Sequence, residues 1–479
     1  MYGKDLIIGG KHQPAQGRAR FDVINPATQQ VMGQAGRAAA GDVELAVQAA
    51  KQGFAVWSGL PAGGREAVLL RAGDILSRQG EERCLELLID ESGSVINKAR
   101  FEINYSVDLL RTAAGEARRL YGDTFPNDSP ERLSMVLREP LGVVAVISPF
   151  NAPLALLVKM AAFPLAAGNS IVIKPSEETP LIALEFADLL LEAGLPPAAI
   201  SVLPGFGDEC GAALANHTAV KGIALTGSTE TGKLIGRAAM QNMTRVQLEL
   251  GGKSALLVLR DSDPAQAAAL AIQGMFNHAG QICMANSRMV VEAPVFDEFS
   301  QALKQGCEAL SIGDVRDTDS AYGPLINRRA LEKVQAHQQD ALANGASLLT
   351  GGAVHSGLVY QPTVLLEPGC DSSLWREESF GPIASLVCAD NLDHAISLAN
   401  DTDYGLSAAV LTHNIQWGFK AAKEIRSGAV HIGMHAFQSN ALAPVGGVGL
   451  SGIGRSGGKF SIEHFTELKW VSIELGGAD

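Results

Sequence analysis

Short apolar runs alternate with longer helical patterns through the middle of the chain. The runs predict strands at 143–147, 170–173, 200–203, 222–225 and 245–248, and the segments between them predict helices at 154–167, 180–193, 210–215 and 229–240. Strands this apolar, separated by helices, indicate a parallel sheet that is buried on both faces. Ligands of such sheets bind beyond the carboxyl ends of the strands. We therefore expect the chemistry of this region in the loops that follow strands.

Similar patterns continue on both sides of this region. Before it, helices are predicted at 42–57, 65–79, 81–91 and 98–120. Asp42 is the expected N-cap of the first helix, and solvated helix faces account for most of the charges. After residue 252, a second α/β region is predicted from helices at 295–310 and 328–344 and strands at 288–291, 383–387 and 429–432. Two strand-like segments, 133–138 and 468–473, have no evident partner in either region.

Length, charge and cysteine content narrow the classes of function. The 479 residues are enough for two or three domains. The net charge is −13 and the sequence has no basic block, which argues against nucleic acid as a partner. The longest apolar region, 141–173, is interrupted by polar residues and prolines, so no membrane span or membrane partner is predicted. The six cysteines fit neither a disulfide framework nor a zinc site, and with a signal-free N-terminus they predict a cytoplasmic protein.

Cys283 has the strongest local context for chemistry. It follows a glycine-hinged turn between the helical pattern 264–275 and the β-branched run 288–291. A thiolate is the reactive form of cysteine, and backbone N–H groups at a helix end are expected to lower the thiol pKa. The alternative is that Cys283 is a small buried hydrophobic residue.

Two further residues complete a set for acyl chemistry. Glu249 ends a strand-like run and is followed by two glycines, where a carboxylate can move and meet water. Asn151 lies on a proline-bounded loop directly after the strand 143–147, where its amide can donate to an oxyanion. A nucleophile, a base and an oxyanion donor are the parts needed for covalent attack on a carbonyl followed by hydrolysis.

Three loops after strands are candidates for a nucleotide site. Lys174 can reach ribose or phosphate oxygens, and Glu177 can accept from ribose hydroxyls while repelling a 2′-phosphate. The loop 204–211 is a near miss to the GxGxxG pattern and is weak evidence alone. In 226–232, glycine and serine directly precede a helix, so backbone N–H groups can meet a pyrophosphate.

These motifs, in this order, resemble the NAD(P)-dependent aldehyde dehydrogenase superfamily. The matching segments are 149–151, 173–177, 226–228, 249–253, 280–283 and 378–382, and the resemblance extends from 25–28 to 451–452. It implies an α/β fold with a Rossmann-like cofactor domain at 1–121 and 141–251, a catalytic α/β domain at 252–448, and an oligomerisation β-extension at 122–140 and 449–479. The two unpartnered strand-like segments belong to this extension, which adds to the sheet of a neighbouring subunit in the family. A homodimer or homotetramer is therefore expected.

The resemblance also implies roles for individual residues. Cys283 would attack an aldehyde, Asn151 and the Cys283 N–H would hold the oxyanion, NAD would take the hydride, and Glu249 would activate water, without a metal. Glu378 would bind the nicotinamide-side ribose and Phe380 would pack on the ring. The residues assigned to the cofactor are Ser148, Pro149, Phe150, Lys174, Ser176, Glu177, Gly207, Thr226, Gly227, Ser228, Leu250, Glu378 and Phe380. NAD is expected over NADP because of Glu177.

The substrate class is predicted from fewer residues than the chemistry. Resemblance around 151–154 and 281–284 favours aromatic or medium-chain aldehydes of the benzaldehyde, vanillin or salicylaldehyde type, and Met284 with the loop 434–437 would supply apolar walls. A succinate-semialdehyde-type enzyme is the alternative, with Arg288 or Lys159 binding a distal carboxylate. Transfer to coenzyme A and a non-catalytic protein are further alternatives, against which Glu249 and Cys283 argue. Gly433 stands where many family members have asparagine, so the entrance of relatives does not transfer directly.

Overall fold

A computed structural model describes residues 2–475 of the 479. The described residues form fifteen α-helices, several of which begin or end within three residues of the predicted bounds. They are α1 Ala40–Ser58, α2 Ala62–Gly80, α3 Glu86–Ser92, α4 Ile96–Ala117, α5 Ala155–Ala167, α6 Pro180–Glu192, α7 Ala212–Ala215, α8 Thr229–Gln241, α9 Pro264–Phe276, α10 Ala293–Glu308, α11 Arg328–Ala343, α12 Ser373–Arg376, α13 Leu392–Asn400, α14 Ile415–Glu424 and α15 Gly458–His464. None of these helices is long and apolar enough to cross a membrane.

The strands of the same part of the chain are mostly short. They are β1 Tyr2–Lys4, β2 Leu6–Ile8, β3 Lys11–Gln13, β4 Arg20–Asn25, β5 Gln30–Gly36, β6 Thr124–Phe125, β7 Arg132–Pro140, β8 Val143–Ile147, β9 Ser170–Lys174, β10 Ile200–Val202, β11 Val220–Thr226, β12 Arg245–Glu249, β13 Ala255–Val258, β14 Arg288–Glu292, β15 Ser347–Thr350, β16 Val354–Ser356, β17 Val359–Tyr360, β18 Thr363–Leu366, β19 Ile383–Ala389, β20 Tyr404–Gly405, β21 Ser407–Leu411, β22 Ala429–Ile432, β23 Val448–Gly449, β24 Gly452–Ile453 and β25 Thr466–Glu474.

The predicted first sheet has eight strands in the order β24-β12-β11-β8-β9-β10-β2-β3. The five strands from β12 to β10 are parallel, and the strands at both edges are antiparallel. Every residue of β8 and β9 is buried, as expected for a sheet covered by helices on both faces. The register pairs Ile147 with Lys174 and Thr226 with Glu249. The carboxyl ends of these strands therefore meet at one edge, where the candidate site residues follow.

The second α/β region forms a separate seven-stranded sheet, in the order β15-β18-β19-β14-β13-β21-β22. All of its pairings are parallel except that of β15 with β18. Its strands and helices pack around their own apolar core, which includes Phe276, Phe299 and Leu386. Two parallel sheets with helices agree with the predicted α/β class.

The two unpartnered strand-like segments pair with each other. β25 runs antiparallel to β7 over nine residues, from Thr466 opposite Pro140 to Glu474 opposite Arg132, and β6 adds a third strand. Leu468 and Trp470 on β25 are 59% and 72% exposed. This three-stranded sheet therefore presents large apolar side chains to solvent in the single chain.

The N-terminal helices carry buried acids, which corrects the assignment of their charges to solvated faces. Glu102 of α4 is fully buried and its Oε1 accepts from the N–H groups of Leu154 (2.7 Å) and Ala155 (3.1 Å) at the start of α5. Glu91 of α3 does the same for the start of α6, and burial raises its pKa to about 8. Both acids satisfy N–H groups that a helix leaves free at its first turn.

The predicted N-cap at Asp42 is wrong. Ala39 is the N-cap of α1, and Asp42 lies within the first turn, where its Oδ2 accepts from the Ala39 N–H at 3.0 Å. Its Oδ1 accepts from the Gln16 N–H at 3.0 Å. Asp42 thus joins the helix start to the segment before it, because a carboxylate in the first turn can fold back to the N-cap backbone.

Candidate active site

The turn before Cys283 has an unusual backbone. After α9 ends at Phe276, His278, Ala279 and Gly280 all have positive φ, of 50°, 55° and 68°. Left-handed backbone is rare for residues other than glycine and costs free energy at His278 and Ala279. A Cβ at Gly280 would lie 2.3 Å from the carbonyl O of Gly381, so only glycine fits there. The turn places Cys283 at the wall of a cavity with its side chain partly exposed.

The thiol environment corrects one prediction. The pKa of Cys283 is raised to about 12, first by burial and then by the carboxylates of Glu378 and Glu249, whereas Lys159 and the Met284 N–H lower it. Backbone N–H groups were expected to give a net lowering of the thiol pKa. The net change is a rise, because desolvation and two nearby carboxylates outweigh the Met284 N–H and Lys159.

Asn151 lies beside the nucleophile turn. Its Nδ2 donates to the carbonyl O of Gln281 at 2.8 Å, and its own carbonyl accepts from Lys98 Nζ at 2.7 Å. The residue is buried and lines the same cavity as Cys283. An amide nitrogen has two hydrogens, so one remains for an acceptor in the cavity. The structure thus brings Asn151 and Cys283 together.

Glu249 ends β12 and is held on both carboxylate oxygens. Oε1 accepts from Ser456 Oγ and, at 3.3 Å, from Gln247 Nε2. Oε2 lies 3.5 Å from Lys159 Nζ, and the two side chains are 9% and 4% exposed. Lys159 lines the cavity that holds Cys283. Glu249 is therefore connected to the cavity through this ion pair.

The glycines after Glu249 let three segments meet. A Cβ at Gly252 would lie 2.3 Å from the carbonyl O of Cys283, and one at Gly251 would lie 2.5 Å from Glu378 Oε2. The Gly252 N–H donates to Glu378 Oε1 at 3.0 Å. Any side chain at these positions would separate the nucleophile turn from Glu378.

The cavity has a volume of about 580 Å³ and a largely apolar wall. Four aromatic side chains, Phe101, Tyr105, Phe276 and Phe437, line it together with Ile282, Met284 and Leu310. The loop predicted to border the entrance contributes Phe437, Gln438 and Ser439. Met434 was expected in this wall but is instead 41% exposed and does not line the cavity.

Arg288 does not point into the entrance. It is fully buried on β14, and its guanidinium donates to the carbonyls of Lys253, Leu398 and Ala399 while stacking on Trp375. Its N–H donors are thus already bonded to backbone carbonyls of the second α/β region. The predicted alternative of a substrate carboxylate held by Arg288 is therefore wrong, and Lys159 remains.

The candidate adenosine side follows β8 and β9. Lys174 Nζ lies 3.1 Å from Glu177 Oε2, and the Glu177 side chain is 42% exposed. The Ser148 N–H donates to the Lys174 carbonyl at 3.1 Å, and Ser176 Oγ accepts from the Glu178 N–H at 3.3 Å. Pro149 lies between Ser148 and Phe150 and is partly exposed. Glu177 is thus partly open to solvent at the sheet edge, whereas Lys174 is buried beside it.

The candidate phosphate side follows β11. Ser228 is the N-cap of α8, with Oγ accepting from the Thr231 N–H at 3.2 Å. The Gly227 N–H donates to the Glu249 carbonyl at 3.1 Å. Thr226 and Leu250 are buried beneath this loop, and Leu250 packs on Gly232 of α8.

Gly207 lies in a helical turn where the sequence predicted a loop. The turn Gly207–Gly211 is π-helical and continues into α7. A Cβ at Gly207 would meet nothing within 4 Å, so the surface there is open. The glycine-rich segment 204–211 therefore leaves room for a ligand beside the edge of β9.

The candidate nicotinamide side lies after α12. Burial raises the pKa of Glu378, and the Phe380 ring meets Phe150 edge to face at 5.7 Å between ring centroids. Phe380 has φ of 53°, a strained backbone that turns the ring towards the site. Lys333 of α11 donates to the Glu378 carbonyl at 2.5 Å. Nothing in the sequence pattern selects Lys333, because it is one of several exposed polar residues on an amphipathic helix.

The chain is similar to known proteins over nearly its whole length. The model of the "Aldehyde dehydrogenase family" matches residues 12–471. The chain is 37% identical over 477 residues to vanillin dehydrogenase of Pseudomonas fluorescens, covering 98% of both chains. It is 34% identical over 477 residues to succinate-semialdehyde dehydrogenase [NADP(+)] of Escherichia coli, covering 99% of this chain and 98% of the relative.

A solved structure shows the same fold. The NAD-dependent aldehyde dehydrogenase of Sinorhizobium meliloti superimposes with a TM-score of 0.97 at 33% identity, covering 100% of this chain and 96% of that one. The family model, the two relatives and the solved structure each match nearly the whole length of this chain. The chain therefore belongs to the aldehyde dehydrogenase family and is an oxidoreductase.

Proposed function

We propose that this enzyme oxidises an uncharged aldehyde, aromatic or of medium chain length, to the carboxylic acid with NAD. The observation that carries the proposal is a single apolar cavity that holds Cys283 and Asn151 and reaches Glu249 through Lys159. Glu378 borders the nucleophile turn from the cofactor side. A nucleophile, an amide donor and a carboxylate are thus arranged around one space.

Each side chain has a step that its position suits. The Cys283 thiolate attacks the aldehyde carbon, and the resulting oxyanion accepts from the free Asn151 N–H and the Cys283 backbone N–H. A nicotinamide held by Glu378 and Phe380 would supply the acceptor for the hydride that the thiohemiacetal loses as it becomes a thioester on Cys283. Glu249 then takes a proton from water that attacks the thioester, and the acid leaves.

The residues at the sheet edges fit a dinucleotide. The N-terminus of α8 at Ser228 offers backbone N–H groups to a pyrophosphate. Lys174 and Glu177 would hold the adenosine ribose, with Ser176 and Gly207 beside it, and Ser148, Pro149, Thr226, Gly227 and Leu250 would shape the floor. Glu378 would hold the second ribose, with Phe380 and Phe150 against the ring.

NAD should be preferred to NADP. The half-exposed Glu177 carboxylate lies where a 2′-phosphate would meet it, and like charges repel. We expect a higher kcat/KM with NAD, and a smaller preference in Glu177→Gln. Catalytic efficiencies with both cofactors measure this. A preference of the unchanged enzyme for NADP would contradict the assignment of Glu177.

The charges of the cavity support an uncharged substrate. Lys98 lies 2.6 Å from Glu102, and Lys159 lies 3.5 Å from Glu249, so each lysine of the cavity is matched by a carboxylate. A substrate carboxylate would have to displace one of these partners. The apolar wall favours a ring or an alkyl chain in the same space.

A semialdehyde is the second candidate, because Lys159 points along the cavity wall. We expect benzaldehyde to be oxidised with a higher kcat/KM than succinate semialdehyde. The same comparison in Lys159→Met, with Lys304→Met as a control on the exposed face of α10, isolates the role of the cavity lysine. An advantage for the semialdehyde that disappears only in Lys159→Met would overturn the preference.

We also propose that the enzyme is a homodimer or homotetramer. The sheet of β6, β7 and β25 exposes Phe125, Leu137, Leu468 and Trp470. Exposed apolar edge strands of this length need a cover to remain soluble. The same sheet in a second copy of this chain would supply a cover of matching length.

A further inference from the structure

Lys159 contacts the base and borders the space in front of the nucleophile. Its Nζ lies 3.5 Å from Glu249 Oε2, and its side chain is 4% exposed. It lines the cavity together with Cys283 and Asn151. The residue lies on α5, where twelve of thirteen residues are buried. Burying a charged lysine without an anionic partner costs free energy of folding. At this position, the available anionic partners of Lys159 are the active-site groups.

Both reacting groups are anionic when active. A thiolate attacks the aldehyde and a carboxylate takes the proton from water, and burial disfavours the charged forms of such groups. The two carboxylates near Cys283 add to this penalty at the thiol. A cation placed between the groups offsets both effects.

We propose that Lys159 is the shared counter-cation of the Cys283 thiolate and the Glu249 carboxylate. It is a positioning residue that acts through Cys283 and Glu249. The thiol proton leaves through the cavity before attack, and the proton of the hydrolytic water goes to Glu249. The role at Cys283 concerns thiol reactivity alone, whereas the role at Glu249 rests on the proposed function.

Other titratable groups face the same space and are fixed by their own partners or chemistry. Tyr105 of α4 has its pKa raised to about 12 by burial and then by Glu249, so it is neutral at physiological pH. Lys98 and Glu102 of α4 form a pair of their own at 2.6 Å. Glu378 faces Cys283 from the cofactor side and accepts from the Gly252 N–H. Lys159 is left as the cation that serves both groups.

The first test measures thiol reactivity and needs neither cofactor nor aldehyde. The rate of alkylation of Cys283 by iodoacetamide is followed by mass spectrometry of its peptide across a pH series. At each pH of the series below the thiol pKa, the alkylation rate in Lys159→Met should fall by about tenfold or more, the usual effect of losing a nearby opposite charge. Lys159→Arg should keep the original rate, as should Lys304→Met, whose lysine lies 3.9 Å from Glu308 on an exposed helix face.

The second test measures turnover. Removing the ammonium favours the protonated, inactive carboxyl, so the acid limb of kcat against pH should move to higher pH in Lys159→Met and return in Lys159→Arg. The midpoint of thermal unfolding and NAD binding check each variant, and Lys159→Gln replaces Lys159→Met if the latter does not fold.

The outcomes separate this inference from the proposed function. Alkylation and kcat profiles of Lys159→Met that superimpose on those of the unchanged enzyme would overturn it, and a change confined to KM would make Lys159 a substrate-binding residue. An unchanged enzyme that forms no NADH from any aldehyde would contradict the proposed function, yet the alkylation comparison would still decide the role of Lys159 at the thiol.

Discussion

Cys283→Ala should abolish aldehyde oxidation and leave NAD binding intact. The nucleophile is lost, whereas Ser228, Lys174 and Glu378, which would hold the cofactor, lie on other segments. Turnover is measured by NADH absorbance, and NAD affinity by quenching of protein fluorescence. Loss of both properties would point to a disturbed fold and not to lost chemistry.

Another cysteine provides the matched control for this prediction. Cys370 is exposed and lies outside the cavity, so Cys370→Ala should keep full turnover. Retention of a tenth of the original turnover in Cys283→Ala, which corresponds to a barrier increase of only roughly 1.4 kcal/mol, would remove Cys283 from the chemistry.

Asn151→Ala should lower kcat by about 10² to 10³, the usual loss for one oxyanion donor. The structure adds a second reason, because Asn151 Nδ2 also holds the carbonyl of Gln281 two residues before the nucleophile. Steady-state kinetics with a saturating aldehyde measure the change.

Asn97 offers a comparison within the same cavity. Its Nδ2 donates to the Thr318 carbonyl at 2.7 Å, whereas the Asn151 amide donates to the Gln281 carbonyl in the turn before Cys283. Asn97→Ala should therefore change KM and not kcat. A change confined to KM in Asn151→Ala as well would make Asn151 a substrate-binding residue and contradict its proposed role.

The first sheet and its loops could be predicted from sequence because parallel strands have a simple pattern. Runs such as Val143–Ile147 are apolar throughout, and their carboxyl ends must meet at one edge. Lys174, Thr226 and Glu249 all follow or end such runs. Their grouping in space follows from topology alone, so the resemblance and the pattern led to the same edge.

From sequence, Lys159 was only an alternative to Arg288 for a substrate carboxylate, and the buried acids could not be selected at all. α5 is buried all round, so its sequence has no polar face to show which side meets a cavity. Glu102 accepts from α5 across 52 residues of sequence, and the pattern of α4 alone assigns it to solvent. Contacts of this kind depend on how the helices pack against each other, and the hydrophobic periodicity of one helix does not predict that packing.

The thiol environment and the entrance loop show two further limits. Helix-end N–H groups can be recognised in sequence, but the desolvation and the carboxylates that raise the pKa of Cys283 come from other segments. Gly433 has φ of 74°, a conformation that glycine adopts freely and that asparagine tolerates better than most residues. An asparagine at this position could therefore keep the backbone and would add a side chain that Gly433 lacks.

The central claim is tested most directly by following NADH formation from benzaldehyde with and without free coenzyme A, and by identifying the product. Oxidation without coenzyme A, with benzoic acid as the product, is the result expected from a water-activating Glu249. NADH formation that requires coenzyme A and yields an acyl thioester, or no NADH from benzaldehyde or a panel of other uncharged aldehydes, would contradict it.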